Sequence, residues 1–228
     1  MRLGRLFILS LCAAMVALAV FHRRWLPPAY DPTQPLDLAA AWTFMTPLKL
    51  RLLSASPELC RAALITSRLP VREHAHSGTA ACPLEGVYTV GGGAVSLLPA
   101  SFLASCSLAV RWSLFERQVA EPVTQAVFHT GLSRIRHVGS FACRDVRDRP
   151  GAQSSHATAD AIDVSAFVLA DGREIPVSAW NASAPVGLYL HRMRDRACRV
   201  FGTVLSPDYN SLHASHFHLQ ATGFGLCR

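Results

Sequence analysis

Two stretches in the last third of the chain carry side chains whose types and spacing suit metal chemistry. The first is Ser154-Ser155-His156-Ala157-Thr158-Ala159-Asp160-Ala161-Ile162-Asp163, the second His213-Ala214-Ser215-His216-Phe217-His218. As a strand, the second places His216 and His218 on one face and Phe217 and Leu219 on the other, because side chains alternate. Two imidazoles on one face can converge on a cation. A catalytic zinc site needs three protein ligands and one open position for water. His156, Asp163 and His218 offer two nitrogens and an oxygen, a set that suits zinc. The step from His156 to Asp163 spans a turn and the start of a strand, so both side chains can reach one point.

A histidine followed by an aspartate at that spacing arises readily by chance, whereas three histidines between positions 213 and 218 do not. The plain alternative is a set of solvated surface histidines. No glutamate follows Glu174 and there is no H-E-x-x-H, so a thermolysin-type helix is excluded and a general base must be histidine or aspartate. His74, His76, His129, His137 and His191 read as surface or core-polar residues. Neither a G-x-S-x-G elbow nor a Walker motif occurs.

The elements that must position these side chains follow from patterning. Residues 36–66 read mainly as helix, with Ser56-Pro57-Glu58 as a start signal. Turn residues and β-formers fill 70–96, with Gly91-Gly92-Gly93 as a hinge or tight turn. Leu108, Trp112, Phe115 and Val119 recur at helical spacing and predict an amphipathic helix over 107–120. Pro122 opens a second helix that Gly131 closes. Strand-like sequence runs over 134–143, followed by a polar, arginine- and glycine-containing loop to Ser155. Segments 160–169 and 173–178 flank Ala170-Asp171-Gly172, a hairpin signal. Leu190, Met193, Ala197 and Val200 mark another helix, and strand-like pieces follow at 202–205 and 216–220. Without βαβ alternation, the expectation is an α+β fold, a small antiparallel sheet with flanking helices.

The N-terminus suggests export. Arg2 and Arg5 precede an apolar run from Leu6 to Phe21, and His22, Arg23 and Arg24 follow it. This pattern predicts an uncleaved signal anchor over 1–24, a membrane helix; a cleaved signal ending near Ala17-Leu18-Ala19 is the second reading. Residues 25–35, with four prolines, read as a stiff spacer, and 36–228 as one domain. Apart from Cys12 the chain has Cys60, Cys82, Cys106, Cys143, Cys198 and Cys227, an even number that fits three disulfides in an oxidising compartment. Their pairing is left open, and the absence of C-x-x-C argues against a zinc ribbon or a thioredoxin-like site.

The chain has 228 residues, 50% hydrophobic and 16% charged, too apolar for a disordered protein. It shows no repeat period. The net charge of +7 rests almost wholly on arginine, Lys49 being the single lysine. That balance suits an anionic partner, but the charges are scattered and aromatics are only 8%, so no nucleic-acid partner is expected.

Phe141-Ala142-Cys143-Arg144, the S-x-H-A-x-x-x-A-I-D-V core at 154–164 and the closing H-F-H together resemble the bacterial extensin-like C-terminal family. More distantly they resemble the lysostaphin, D-Ala-D-Ala peptidase and hedgehog-type (M15-like) zinc amidohydrolases. The resemblance covers about residues 36–228, including Pro35-Leu36-Asp37-Leu38. It implies a D-Ala-D-Ala peptidase/hedgehog-like zinc-site core acting on peptidoglycan stem peptides or cross-links, with His156, Asp163 and His218 as metal ligands. It implies Ser154 as a substrate-holding serine, and His213 or His216 as general base or transition-state stabiliser. His213 is the preferred base, with His216 orienting the site. Arg144 is expected to bind a substrate carboxylate. Two departures stand out: Ala159 where glycine is common, a mild change if its φ is ordinary, and Gln220 where an acid is common, behind His218. The overall expectation is a zinc-dependent metallopeptidase of the cell envelope, anchored in the inner membrane with its C-terminal domain in the periplasm. The alternatives are a zinc-containing peptidoglycan-binding module without hydrolysis and an envelope scaffold.

Overall fold

A computed structural model describes residues 2–147 and 149–228. In chain order, the helices α1 (Arg2–Val20), α2 (Thr46–Ala55) and α3 (Pro57–Ile65) lead into the strands β1 (Val71–Gly78), β2 (Pro83–Gly91), β3 (Ser96–Leu98) and β4 (Ser101–Ala104). Helices α4 (Cys106–Phe115) and α5 (Glu121–Phe128) are joined by a π-helical turn over Glu116–Ala120. Then come β5 (Leu132–Gly139), β6 (Ala161–Leu169), β7 (Glu174–Pro176), α6 (Val186–Ala197), β8 (Thr203–Leu205), β9 (Phe217–Gln220) and β10 (Leu226–Cys227).

The class is α+β, as expected, but the sheets are larger than a small antiparallel one. A three-stranded antiparallel sheet has the order β1-β2-β4. A seven-stranded sheet has the order β10-β8-β9-β6-β5-β3, with β7 also on β6. Its centre is antiparallel, but β3 joins β5 and β10 joins β8 in parallel, so the sheet is mixed. Both parallel strands are two or three residues long, too short to show as periodic patterns.

Helix α4 lies at the centre of the core. Leu108, Trp112 and Phe115 are buried as their spacing predicts, but every residue from Leu108 to Phe115 is buried, Arg111 and Ser113 included. The amphipathic expectation is therefore too weak: α4 is enclosed on all sides. Arg111 is tolerated because its guanidinium donates to the Val200 and Leu50 carbonyls. Burial still lowers its pKa to about 10. Helix α5 ends at His129, which takes the left-handed conformation at φ 55°, two residues before Gly131.

The proline-rich stretch folds onto the body. Lys49 is buried, and its Nζ donates to the Pro28 carbonyl at 2.6 Å. Leu36 and Leu38 enter the core, and the Leu38 carbonyl accepts from Arg117. The N-terminal segment forms helix α1, with residues 8–20 exposed. Among the described residues no helix is long and apolar enough to cross a membrane.

All six expected cysteines pair: Cys60–Cys106, Cys82–Cys143 and Cys198–Cys227. Cys12 is free and exposed.

Candidate metal centre

Strands β6 and β9 set Asp163 directly opposite His218. Directly opposed residues in an antiparallel pair project from the same face, so register alone brings a carboxylate and an imidazole together. The third member comes from the 3-10 turn Ser155–Thr158, which Ser154 caps by accepting the His156 N–H on its Oγ at 3.3 Å. The turn leaves through Ala159 at φ 52°. Ala159 is fully buried beside Leu84 and Val87, so its conformation is not ordinary and the replacement of glycine is not mild. A left-handed alanine costs about 1–2 kcal/mol; the buried methyl and the Ser105 N–H on the Ala159 carbonyl at 2.7 Å offset part of it. Asp160 then ties the turn to its surroundings, accepting from Ser105 Oγ at 2.7 Å and from the Thr222 N–H at 3.2 Å.

The three side chains meet closely. His156 Nε2 lies 3.1 Å from His218 Nδ1 and 3.3 Å from Asp163 Oδ2, and His218 Nδ1 lies 3.0 Å from Asp163 Oδ1. Each imidazole has a partner on its other nitrogen. His156 Nδ1 donates to the Ser140 carbonyl at 2.7 Å. His218 Nε2 donates to Gln220 Oε1 at 3.3 Å, and the Gln220 amide is fixed by its Nε2 donating to Thr222 Oγ1. With both protons facing outward, three lone-pair atoms crowd one point with no hydrogen between them. Tetrahedral ligands 2.0–2.1 Å from one ion are roughly 3.3 Å apart, so the set fits a zinc ion.

Around this centre runs a groove of about 880 Å³. His213 is half-buried on its wall, with Nδ1 donating to Asn210 Oδ1 at 2.7 Å, which leaves Nε2 as an acceptor. Burial, and then the nearby His216 and His218, lower its pKa to about 4, so it is neutral at pH 7. His216 Nε2 lies 3.8 Å from Asp163 Oδ1, beside the ligand set and outside it; burial lowers its pKa too. Ser154 and Arg144 line the same groove, although Ser154 is buried and its oxygen is engaged as a cap. All seven candidate residues therefore belong to one cavity.

Sequence reasoning missed several contributors. The Ser140 carbonyl carries no sequence signal, since any residue supplies one. Asn210 had one: a cap residue three positions before His213. Arg147, Arg149 and Tyr209 also line the groove.

The profile of the family described as "Extensin-like protein C-terminus" matches residues 58–228. No curated protein and no solved structure matches the chain.

Proposed function

The chain belongs to the extensin-like protein C-terminus family, and from that premise we propose that its groove hydrolyses amide bonds in peptidoglycan stem peptides or cross-links with a zinc ion held by His156, Asp163 and His218. The observation that carries this reading is the convergence of three lone-pair atoms at 3.0–3.3 Å, each imidazole anchored on its far nitrogen. The arrangement is of the kind used by D-Ala-D-Ala peptidase-type zinc amidohydrolases. Zinc bound there supplies Lewis acidity and an activated water near neutral pH.

The protein's own groups supply the rest. His213, neutral and with Nε2 unprotonated, takes a proton from the attacking water and returns it to the leaving amine. Asn210 fixes that tautomer through Nδ1. His216, whose ring lies 5.2 Å from that of His213 and whose Nε2 lies 3.8 Å from Asp163 Oδ1, orients the site or donates to the developing oxyanion. Arg144 binds a substrate carboxylate at the groove edge, where a guanidinium matches it bidentately. Three disulfides suit an oxidising compartment, and the proposed location is the periplasm, with the N-terminal helix directing export.

The experiment is digestion of purified peptidoglycan by the zinc-replete full chain. New amine termini and peptide fragments are expected, and His213→Ala should lower their rate by ~10²–10⁴-fold with the metal retained. Zinc-loaded protein that releases no fragments from any peptidoglycan would move the reading to a wall-binding module.

A further inference from the structure

We propose that the groove carries a second anionic subsite, made by Arg147 and Arg149, so that it selects peptides with free carboxylates at two separate points. The inference deepens the hydrolase reading and rests on it. Arg144, Arg147 and Arg149 all line the groove that holds the His–Asp centre. Among the described residues none of the three pairs with a carboxylate. The neighbouring Asp145 is engaged otherwise: its Oδ2 accepts the Gly151 N–H at 2.8 Å, inside the loop.

The segment that carries them is held in shape. Arg144 and Gln153 stand on its two arms, where the Ser154 N–H donates to the Arg144 carbonyl and the Val146 N–H to the Ala152 carbonyl at 2.7 Å. The Arg149 N–H closes a turn on Val146. The Cys82–Cys143 disulfide pins the base next to Arg144. Arg144 therefore sits at the base, next to the disulfide, and Arg147 and Arg149 sit at the tip. A chain leaving the centre along this wall meets one guanidinium first and two more further out. Leu205, Tyr209 and Leu212 also line the groove, apolar and aromatic surface suited to the aliphatic part of a peptide. Guanidinium forks take carboxylates and phosphates alike; the apolar part of the lining and the amide-directed centre favour a carboxylate-bearing peptide over a phosphodiester polymer.

The test measures binding to the zinc-stripped full chain, so that turnover does not interfere. The probes are a synthetic stem-type peptide with two free carboxylates, set apart along the chain, and its bis-amide. The diacid should bind at least about tenfold more tightly, and the advantage should shrink as salt screens it. Arg147→Gln/Arg149→Gln should bring the ratio to about threefold or less with the melting temperature unchanged. Arg136→Gln, whose partner is Glu174, should leave the ratio intact. Equal affinity for acid and amide, or an unchanged ratio in the double variant, overturns the subsite. Tighter binding of polyphosphate or of anionic phospholipid vesicles than of the diacid overturns it as well. Fragment release from peptidoglycan is read separately. Fragments without acid preference sink the subsite alone, and acid preference without fragments sinks the hydrolase reading alone.

Discussion

Gln220 lies behind His218 with its amide oxygen 3.3 Å from Nε2, so it holds the ring in the tautomer that aims Nδ1 at Asp163. Outer partners of this type change metal affinity by roughly 10–100-fold. Gln220→Leu should therefore weaken zinc binding by about that factor, measured by competition with a chelator. Gln220→Glu should tighten it, because a carboxylate makes the imidazole a stronger donor; equal affinities in all three proteins would remove Gln220 from the site. At this scale the sequence was informative where chemistry is written into side-chain type: the two histidines, Asp163 and Gln220 could all be named from it. It was silent on the Ser140 carbonyl that orients His156, since a backbone oxygen leaves no mark. The left-handed φ of Ala159 was hinted at only by the resemblance, as a place where glycine is common, because alanine itself normally avoids that region.

The π-helical turn between α4 and α5 buries Glu116, whose Oε2 has no hydrogen-bond partner, beside a cavity of about 160 Å³. Burial, and then the charge of Glu121, raise its pKa from 4.5 to about 7. Between those values the folded protein keeps a proton that the unfolded chain has released. Stability from this group is thus fully present below pH 4.5, falls as pH rises, and is lost above about pH 7. The size is at most about 3 kcal/mol. Glu116→Gln should stabilise the protein at pH 8 by about 1–2 kcal/mol, after the cost of an imperfectly paired amide, and flatten the slope between pH 5 and 7. Denaturant melts across that range check it, and parallel slopes in the two proteins would contradict it. Element types were largely legible, since α4, α6, the β6–β7 hairpin and β9 follow their periodicities. The π turn was not, because one extra residue in a helical turn shifts the apolar pattern too little to be seen. The burial of Arg111 was hidden too, because a charged residue in a helix ordinarily reads as solvent-facing.

The whole molecule is closed by three disulfides that tie α3 to α4, the β1–β2 turn to the base of the arginine segment, and the end of α6 to β10. They span 46, 61 and 29 residues, and loops of such lengths are each worth about 3–4 kcal/mol. Reduction should lower the melting temperature sharply. Cys82→Ala/Cys143→Ala should also speed proteolysis within 144–153, and a melting temperature indifferent to reductant would contradict this. The even cysteine number foretold pairing, but the pairing itself depends on which Cα atoms approach within about 6 Å, a property of the finished fold. The mixed edges of the large sheet were equally out of reach, as β3 and β10 are placed by their neighbours and not by their own patterns.

The most direct test is the zinc content of the metal-replete full chain beside His218→Ala and Asp163→Ala. The geometry predicts about one zinc per wild-type chain, lost in both variants while the three disulfides and the fold persist. Wild-type protein that retains no zinc, or variants that retain as much as wild type, would contradict the metal centre on which the proposed hydrolysis rests.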